Sequence, residues 1–352
     1  MLNSSDEHEN LKSHQSQGTT MKKSQLFLSI LLLIFIPIGL RGQEKKEYGV
    51  YEYVVTKVVG TIEQISAGLS DTASKNGWIV LTAFDAGTPK DCPFRAHIIA
   101  LYHPTYIKAL MDANRKTGPF AAIDRINIFT DEQGTHVAVI NPHSIVRTVM
   151  MDDTAYTALS ESHLQSLRQM ILSAVHGTPS EKQYGEIRDE GYIGKTMGVM
   201  AGGRFEEKIE DEFIVQKANR TEIADKVSRV LADSGNRWGT HLVYRIPLKE
   251  YETEIIGIAG TALEGESFDI VGAGSDDSRG DDKCPGLAHA GAYPLELVVA
   301  HENDVVSVRM VDAMFRMKMY FEDAGKWAFM KHMSMPGSIK DEIMDRLSPI
   351  LK

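Results

Sequence analysis

The sequence predicts an α+β protein built from two tandem units, each with the element order β-α-β(4)-α, an antiparallel sheet and helices on one face. Three observations lead to this prediction: one helix occurs twice, one hairpin occurs twice, and strands follow each other without intervening helices. The units are predicted over residues 48–177 and 205–352, with a Gly-rich connector over residues 178–204.

The first unit begins with a strand near residues 50–57, and a capped helix follows it. Thr61 and Gln64 are typical of a capping box, an apolar stripe comes next, and Gly77 ends the helix before Trp78. The second unit has the same landmarks 158 residues later. The matching pairs are Thr61/Asn219, Ile65/Ile223, Leu69/Val227, Ala73/Leu231 and Gly77/Gly235. An accidental pair of amphipathic helices would share the stripe but not the caps, so the pattern indicates an internal repeat.

Strands are predicted next, near residues 78–84 and 95–102, and then a hairpin over residues 125–140. Residues 295–310 repeat the hairpin at an offset of 169, so the second copy is longer between Trp238 and Leu295. A helix closes each unit. Its predicted apolar positions are Leu164, Leu167, Ile171 and Val175 in the first unit and Ile339, Ile343, Leu347 and Leu351 in the second.

Residues 50–175 resemble the family called domain of unknown function 302. The resemblance rests on three features. The corner Tyr102-His103-Pro104 follows an apolar strand, the next helix carries the dipeptide Leu110-Met111, and the last strand ends at Asn141-Pro142. The corner departs from the family's Gly-Asn-Pro-like pattern, and the second unit lacks it and matches only through the internal repeat. The resemblance implies a fold similar to the TATA-binding-protein-like class, and it implies no activity.

The first 42 residues are predicted to be a polar extension followed by a signal peptide that starts at Met21. Two lysines follow Met21, and an apolar stretch runs from Leu26 to Leu40. The mature protein is therefore expected to be periplasmic or secreted, with no stable membrane span once the signal is cleaved. Because Leu40 stands where a small residue is expected, an uncleaved N-terminal anchor remains the alternative.

The formal net charge is −10, and no Lys/Arg run is interleaved with aromatic residues, so a nucleic-acid partner is not expected. The expected partner is an unidentified small or apolar ligand, or a protein.

The only two cysteines, Cys92 and Cys284, each open a Cys-Pro-x-x-Ala-His pattern. Three interpretations stay open: a disulfide, two separate unpaired cysteines, or a metal site completed by His97 and His289. The first pattern precedes the third strand and the second precedes the hairpin, so the internal repeat does not relate them.

Eight of the 16 methionines lie between Met310 and Met344. Thioethers and imidazoles at close spacing hold Cu(I) in exported proteins, and flexible filling of the core is the alternative. The alternation in FRMKMYF places Met317 and Met319 on one face of a strand-like run, which favours the core for these two. The copper candidates are Met330, His332, Met333 and Met335.

No group of residues is typical of a catalytic site, so no catalytic residue is predicted. Tyr102, His103, Asn141 and His143 follow strand ends and are the candidate ligand-binding residues. The leading hypothesis is an exported, non-catalytic protein that binds a small ligand or a partner, without a cofactor. The alternative is a periplasmic metal protein with copper or zinc, or a thiol-redox protein; an enzyme acting near His103 and His143 is the third hypothesis.

Overall fold

The computed structural model describes residues 48–150, 155–187, 202–274 and 282–351, which belong to one compact unit. The predicted polar extension and signal peptide (1–42), and residues 188–201 of the predicted connector, lie outside the described residues. Within the described part of the chain, no helix has both the length and the apolar composition to cross a membrane.

The described residues of the first half form seven strands and four α-helices. In chain order they are β1 (Tyr51–Thr56), α1 (Ile62–Lys75), β2 (Ile79–Asp85), β3 (Ala96–Tyr102), α2 (Pro104–Ala113), β4 (Asp124–Asp131), β5 (Gly134–Ile140), α3 (Pro142–Val149), α4 (Ala155–Ala174), β6 (Thr178–Pro179) and β7 (Gln183–Tyr184). A short 3-10 helix (Gly118–Ala121) precedes β4.

Within residues 202–274 and 282–351, the second half forms five strands and five α-helices. They are β8 (Ile209–Gln216), α5 (Arg220–Leu231), β9 (His241–Leu248), β10 (Thr253–Ala259), α6 (Thr261–Gly274), β11 (Leu295–Glu302), β12 (Val305–Val311), α7 (Ala313–Phe321), α8 (Lys326–Lys331) and α9 (Met335–Leu351). A 3-10 helix (Pro285–Ala292) precedes β11, in the place that Gly118–Ala121 occupies in the first half.

The two sheets have the same strand order. The first is β2-β3-β4-β5-β1, with β6 and β7 both paired to β1, and the second is β9-β10-β11-β12-β8. Every pairing is antiparallel. The fold class is therefore α+β with two antiparallel sheets, as predicted.

Helices that the predicted element order leaves out follow the third and fifth strands of each half. Pro104 and Pro142 stand in the first turns of α2 and α3, where a proline's missing N–H costs nothing. In the second half, α6 and α7 occupy the same places. The run FRMKMYF, predicted to be strand-like, lies within helix α7. Its alternation is too short to distinguish a strand from a helix that is buried on most sides.

A pair of helices covers one face of each sheet. In the first half, α1 and α4 bury Leu69 and Leu167 against Ile126 and Val139 of the sheet. Helix α1 has the predicted capping box, and Asn219 accepts a hydrogen bond from the backbone N–H of Glu222 at the start of α5. The predicted apolar positions of α5 and α9 are buried in the second half.

The opposite face of the first sheet is covered by the second half. Asn127 on β4 donates hydrogen bonds from Nδ2 to the carbonyls of Leu287 (2.8 Å) and Ala288 (3.1 Å) in the 3-10 helix. Tyr251, which precedes β10, donates to Asp112 of α2 (2.6 Å). The halves thus share an interior, and the largest hydrophobic cluster contains side chains from both.

This interior contains a buried ion pair between the sheets. Arg125 on β4 lies 2.5 Å from Glu296 on β11, and its other terminal nitrogen donates to the Tyr320 hydroxyl (2.7 Å). Arg316 donates to the carbonyls of Ala292 and Pro294 and lies 3.4 Å from Glu296. Both arginines and Glu296 are buried, so these charges are compensated by one another and by carbonyl oxygens.

Candidate functional site

Cys92 and Cys284 form a disulfide, with 6.0 Å between their Cα atoms and a sequence separation of 192. The bond links the loop before β3 to the segment before the 3-10 helix at Pro285–Ala292, so it joins the two halves covalently. Of the three interpretations left open by the sequence, the structure contains the bridge. Because the sulfurs are bonded to each other, neither is a thiolate available to a metal.

The two histidines of the Cys-Pro-x-x-Ala-His patterns have separate partners. His97 lies 2.9 Å from the Ser66 hydroxyl and 2.8 Å from Asp85. His289 is fully buried and lies 2.9 Å from Asp323. Among the residues that the structure describes, no group of three or more His, Cys, Asp or Glu side chains is arranged to hold a metal. The four candidates are therefore not assembled as a metal site.

The methionine-rich segment divides into buried and exposed positions. Met317 and Met319 lie on α7 and are buried, which agrees with core filling even though the predicted strand is a helix. Met335 is also buried. Met330 and Met333 are 47% and 39% exposed. His332, between them in sequence, lies 3.6 Å from Glu266.

The four predicted ligand-binding residues lie at one end of the first sheet. Tyr102 ends β3, and Asn141 follows β5, a strand that runs in the same direction as β3. Asn141 is the N-cap of α3, and its side-chain oxygen accepts hydrogen bonds from the backbone N–H groups of His143 (3.0 Å) and Ser144 (3.4 Å). His143 is buried, and its Nδ1 lies 2.8 Å from the Ser160 hydroxyl. Asn141 and His143 are thus engaged within the fold.

His103 belongs to a cluster of polar and aromatic side chains that the sequence did not predict. Its ring lies 4.9 Å from Trp78 and 6.3 Å from His163. Asp124 accepts a hydrogen bond from the Trp78 indole (3.1 Å) and lies 2.9 Å from Nε2 of His163. Tyr106 stacks on His163 at 3.6 Å. Burial, together with the neighbouring His163, lowers the pKa of His103.

A cleft of about 470 Å³ lies beside the disulfide and is lined by both halves. The first half contributes residues from β1, from the hairpin β4–β5 and from the segment around β7. These are Tyr53, Thr56, Phe129, Asp131, Glu132, Gln133, His136, Lys182, Gln183, Tyr184 and Gly185. The second half contributes Asp282, Cys284, Pro285, Ala288 and Asp323. None of the four predicted strand-end residues lines this cleft.

Aromatic rings form one wall of the cleft. The Tyr53 ring lies 4.8 Å from the Tyr184 ring and 5.8 Å from the Phe129 ring. The Tyr184 hydroxyl donates to the Ala288 carbonyl across the boundary between the halves (2.7 Å). This contact holds the short strand β7 against the second half, so the aromatic wall has a defined position.

His136 lies beside this wall, with its ring 5.7 Å from the Tyr53 ring and 5.3 Å from the Phe129 ring. It is 2% exposed, and its Nε2 lies 2.8 Å from Asp131. Burial alone would raise the pKa of Asp131, but hydrogen bonds from His136 and from the backbone N–H groups of Gln133 and Gly134 lower it. The Asp131 carboxylate is therefore ionised at neutral pH, and it accepts a hydrogen bond from His136.

The cleft combines residues that are far apart in sequence, and only some of them gave a sequence signal. The turn at Asp131–Gly134 was identified as the loop of a hairpin. Tyr184 lies in the predicted connector, where nothing indicated a strand. Cys284 was singled out for its sulfur, and its neighbours Pro285 and Ala288 belong to the same repeated pattern.

No family model matches this chain, and no curated protein matches it. One similar solved structure is the crystal structure of the uncharacterized conserved protein DUF302 from Bacillus stearothermophilus. The match covers 36% of this chain and 98% of that chain, with 16% sequence identity and a TM-score of 0.32.

Proposed function

We propose that this chain is an exported, non-catalytic binding protein that takes a small ligand in the cleft between its two halves. The observation that carries the proposal is the cleft itself, a space of about 470 Å³ lined by residues of both halves. Ligand pockets are commonly about 300–1,000 Å³ and combine aromatic side chains with a few polar groups. The wall of Tyr53, Phe129 and Tyr184 and the neighbouring carboxylates have this character.

We also propose that the two halves are tandem copies of one unit related to domain of unknown function 302, the second diverged. The repeated caps and stripes in the sequence support this, and so does the identical strand order of the two sheets. A cleft between two copies has chemically different walls once the copies diverge. Duplication thus supplies a site that a single unit lacks.

Export from Met21 to the periplasm or the outside of the cell is the third part of the proposal. The disulfide between Cys92 and Cys284 supports it, because disulfides persist in oxidising compartments.

The binding proposal is tested by ligand-observed NMR on the mature chain with a library of neutral, cationic and anionic fragments. We expect a subset of fragments to bind the wild-type protein and to be lost in Ala288→Trp, which fills the cleft. Val59→Trp is the control, because Val59 is 78% exposed and does not line the cleft. If no fragment distinguishes Ala288→Trp from the wild type and from this control, the cleft is not a binding site.

A second candidate function is binding of Cu(I) at Met330 and Met333, with His332 between them. The exposure of both thioethers favours it, because methionines that only fill the core are usually buried. Titration against a chromophoric Cu(I) chelator should show competition by the wild type and loss of it in Met330→Leu/Met333→Leu. Met317→Leu, a change in the core, should compete like the wild type; a wild type that does not compete contradicts this candidate.

A further inference from the structure

The cleft has a strong excess of negative charge. Four carboxylates line it (Asp131, Glu132, Asp282 and Asp323), and Lys182 is the one Lys or Arg side chain among its described lining residues. With histidines neutral, the formal charge of these described lining residues is −3. A partly enclosed site with this excess attracts cations and repels anions, and the attraction is stronger than at an open surface because fewer water molecules screen it.

The aromatic wall offers ring faces to a cation. The Lys182 ammonium lies 6.0 Å from the centroid of the Tyr53 ring, within the range of a cation–π interaction. Lys182 is exposed and extends from the segment just before β7, so its side chain can move away without disturbing the sheet. The chain's own ammonium group therefore marks a position that a ligand's cationic nitrogen could take.

His136 adds an acceptor. Its Nδ1 is buried and has no hydrogen-bond partner among the described residues, while its Nε2 lies 2.8 Å from the Asp131 carboxylate. A carboxylate can only accept, so Nε2 carries the hydrogen. When the ring is neutral, Nδ1 is then an acceptor, and a buried acceptor without a donor is destabilising. A ligand's N–H donor that reached this nitrogen from the cleft would satisfy it.

From these three features we propose that the cleft binds an organic ammonium ion: a ligand with a protonated amine and an apolar, preferably aromatic, body. The amine is held by the carboxylates and ring faces, and the body lies against Tyr53, Phe129 and Tyr184. This inference rests on the proposed function and names its ligand class.

The charge requirement is tested with three probes of matched size. Phenethylammonium is the cation, phenethyl alcohol replaces the ammonium by a neutral hydroxyl, and hydrocinnamate replaces it by a carboxylate. Isothermal titration of the mature protein at low salt should give an affinity for the cation about tenfold or more above that for the alcohol, and the weakest binding for the anion. Added salt should weaken binding of the cation and leave that of the alcohol unchanged.

Variants of the lining separate the contributions. Tyr53→Leu should weaken binding of phenethylammonium several-fold more than Tyr53→Phe, which keeps the ring face. The double variant Glu132→Gln/Asp282→Asn changes two exposed residues of the cleft and should weaken binding of the cation but not of the alcohol. Lys182→Met should tighten binding of phenethylammonium, because the substitution removes the competing Lys182 ammonium.

Each other outcome overturns the inference. Equal binding of the cation and the alcohol would make the cleft an apolar pocket, and tighter binding of hydrocinnamate would reverse the charge preference. In both cases the proposed function survives. If the fragments lost in Ala288→Trp include no amine and phenethylammonium does not bind, the ligand class is wrong while the site stands. If no fragment is lost in Ala288→Trp, the proposed function itself fails.

Discussion

The two halves place a tryptophan at the same point of the fold, after their first helix, but the indole groups have different partners. Trp78 donates to Asp124, a buried carboxylate that also contacts His163 on α4. Trp238 donates to the hydroxyl of Ser338 on α9 (3.1 Å). The partner of the indole therefore differs between the halves: it is a buried carboxylate in the first half and a neutral hydroxyl in the second.

The chain segment after the third strand differs in the same way. In the first half it carries His103, which joins the cluster around Asp124. In the second half it carries Gly260, where an added Cβ would lie 2.6 Å from the Trp238 carbonyl oxygen. Its backbone N–H and that of Gly87 from the first half donate to Glu264. The second half therefore uses this end of its sheet to bind a loop of the first half.

Removing the disulfide tests how much the link between the halves stabilises the fold. We expect the largest loss of stability from this change. Cys92→Ser/Cys284→Ser removes a bond that spans 192 residues and should lower the free energy of unfolding by about 5 kcal/mol in the chain-entropy view. Urea denaturation at equilibrium measures it. Reductant should shift the urea midpoint of the wild type to that of the double variant and leave the midpoint of the variant unchanged. A wild type indifferent to reductant contradicts the prediction.

The ion pair between the sheets comes next. Arg125→Met leaves the buried Glu296, among the described residues, with the longer contact to Arg316, and should cost about 3–5 kcal/mol of unfolding free energy. Lys75→Met is the matched control, because Lys75 pairs with Asp71 on an exposed helix face and should change little. If chemical denaturation gives the same loss of unfolding free energy for both variants, the buried pair contributes no more to stability than the exposed one.

Two carboxylates of the second half should respond to pH in opposite directions. Burial raises the pKa of Glu264 to about 7, despite the hydrogen bonds from Gly87 and Gly260. Burial alone would also raise the pKa of Glu342, but hydrogen bonds from Thr240 and from the backbone N–H groups of Trp238 and Arg237 lower it.

The sign follows from which state binds the proton more tightly. Folded Glu264 holds its proton up to a higher pH than the unfolded chain, so stability should fall by up to about 3 kcal/mol as pH rises from about 4.5 to 7. Glu264→Gln should remove this dependence. Glu342 contributes to stability above the pKa that it has in the unfolded chain, and this contribution is lost as pH falls. Glu342→Gln should therefore reduce the fall in unfolding free energy at acid pH. Denaturation series at several pH values measure both, and a Glu264→Gln variant with the wild-type profile refutes the assignment.

The tryptophan pair should give the smallest effect and the most direct comparison. Trp78→Phe removes a donor from a buried carboxylate and should cost about 2 kcal/mol, whereas Trp238→Phe removes a donor from a neutral hydroxyl and should cost about 1 kcal/mol. Both variants keep an aromatic ring, so the difference between them in thermal or urea unfolding reports the polar partner. Equal losses would mean that Asp124 is satisfied without the indole.

Much of the framework could be predicted because its signals are local. The caps at Thr61 and Asn219 and the stripes of α1, α5 and α9 follow from groups within one or two helical turns. Helix α2 was expected only through the family resemblance at Leu110-Met111, and α3, α6 and α7 were not predicted. Helix α3 is short and begins at Pro142, directly after a strand, so its sequence is also typical of a strand end. Met317 and Met319 were correctly predicted to be buried, but they lie on a helix and not on a strand. Burial could be predicted because a strand and a helix at this place would both bury these side chains.

The candidate site could be predicted far less well. The sequence left the cysteines open among three interpretations, because connectivity depends on where two loops meet. The histidine cluster at His103 was half found: the strand-end corner indicated His103, but nothing near Asp124 or His163 in sequence indicated their contact. The cleft was missed because its aromatic wall combines β1, β4 and the predicted connector.

By itself, the sequence determined the α+β class, the repeated helices and hairpins, and the strand-end positions of the first half. Only the tertiary structure decided that Arg125 pairs with Glu296, that Glu264 is buried against Gly87, and that Tyr53, Tyr184 and Ala288 border one space. The physical reason is range. Capping and periodic burial depend on neighbours along the chain, whereas a buried charge and a cavity depend on groups that packing brings together from more than a hundred residues apart.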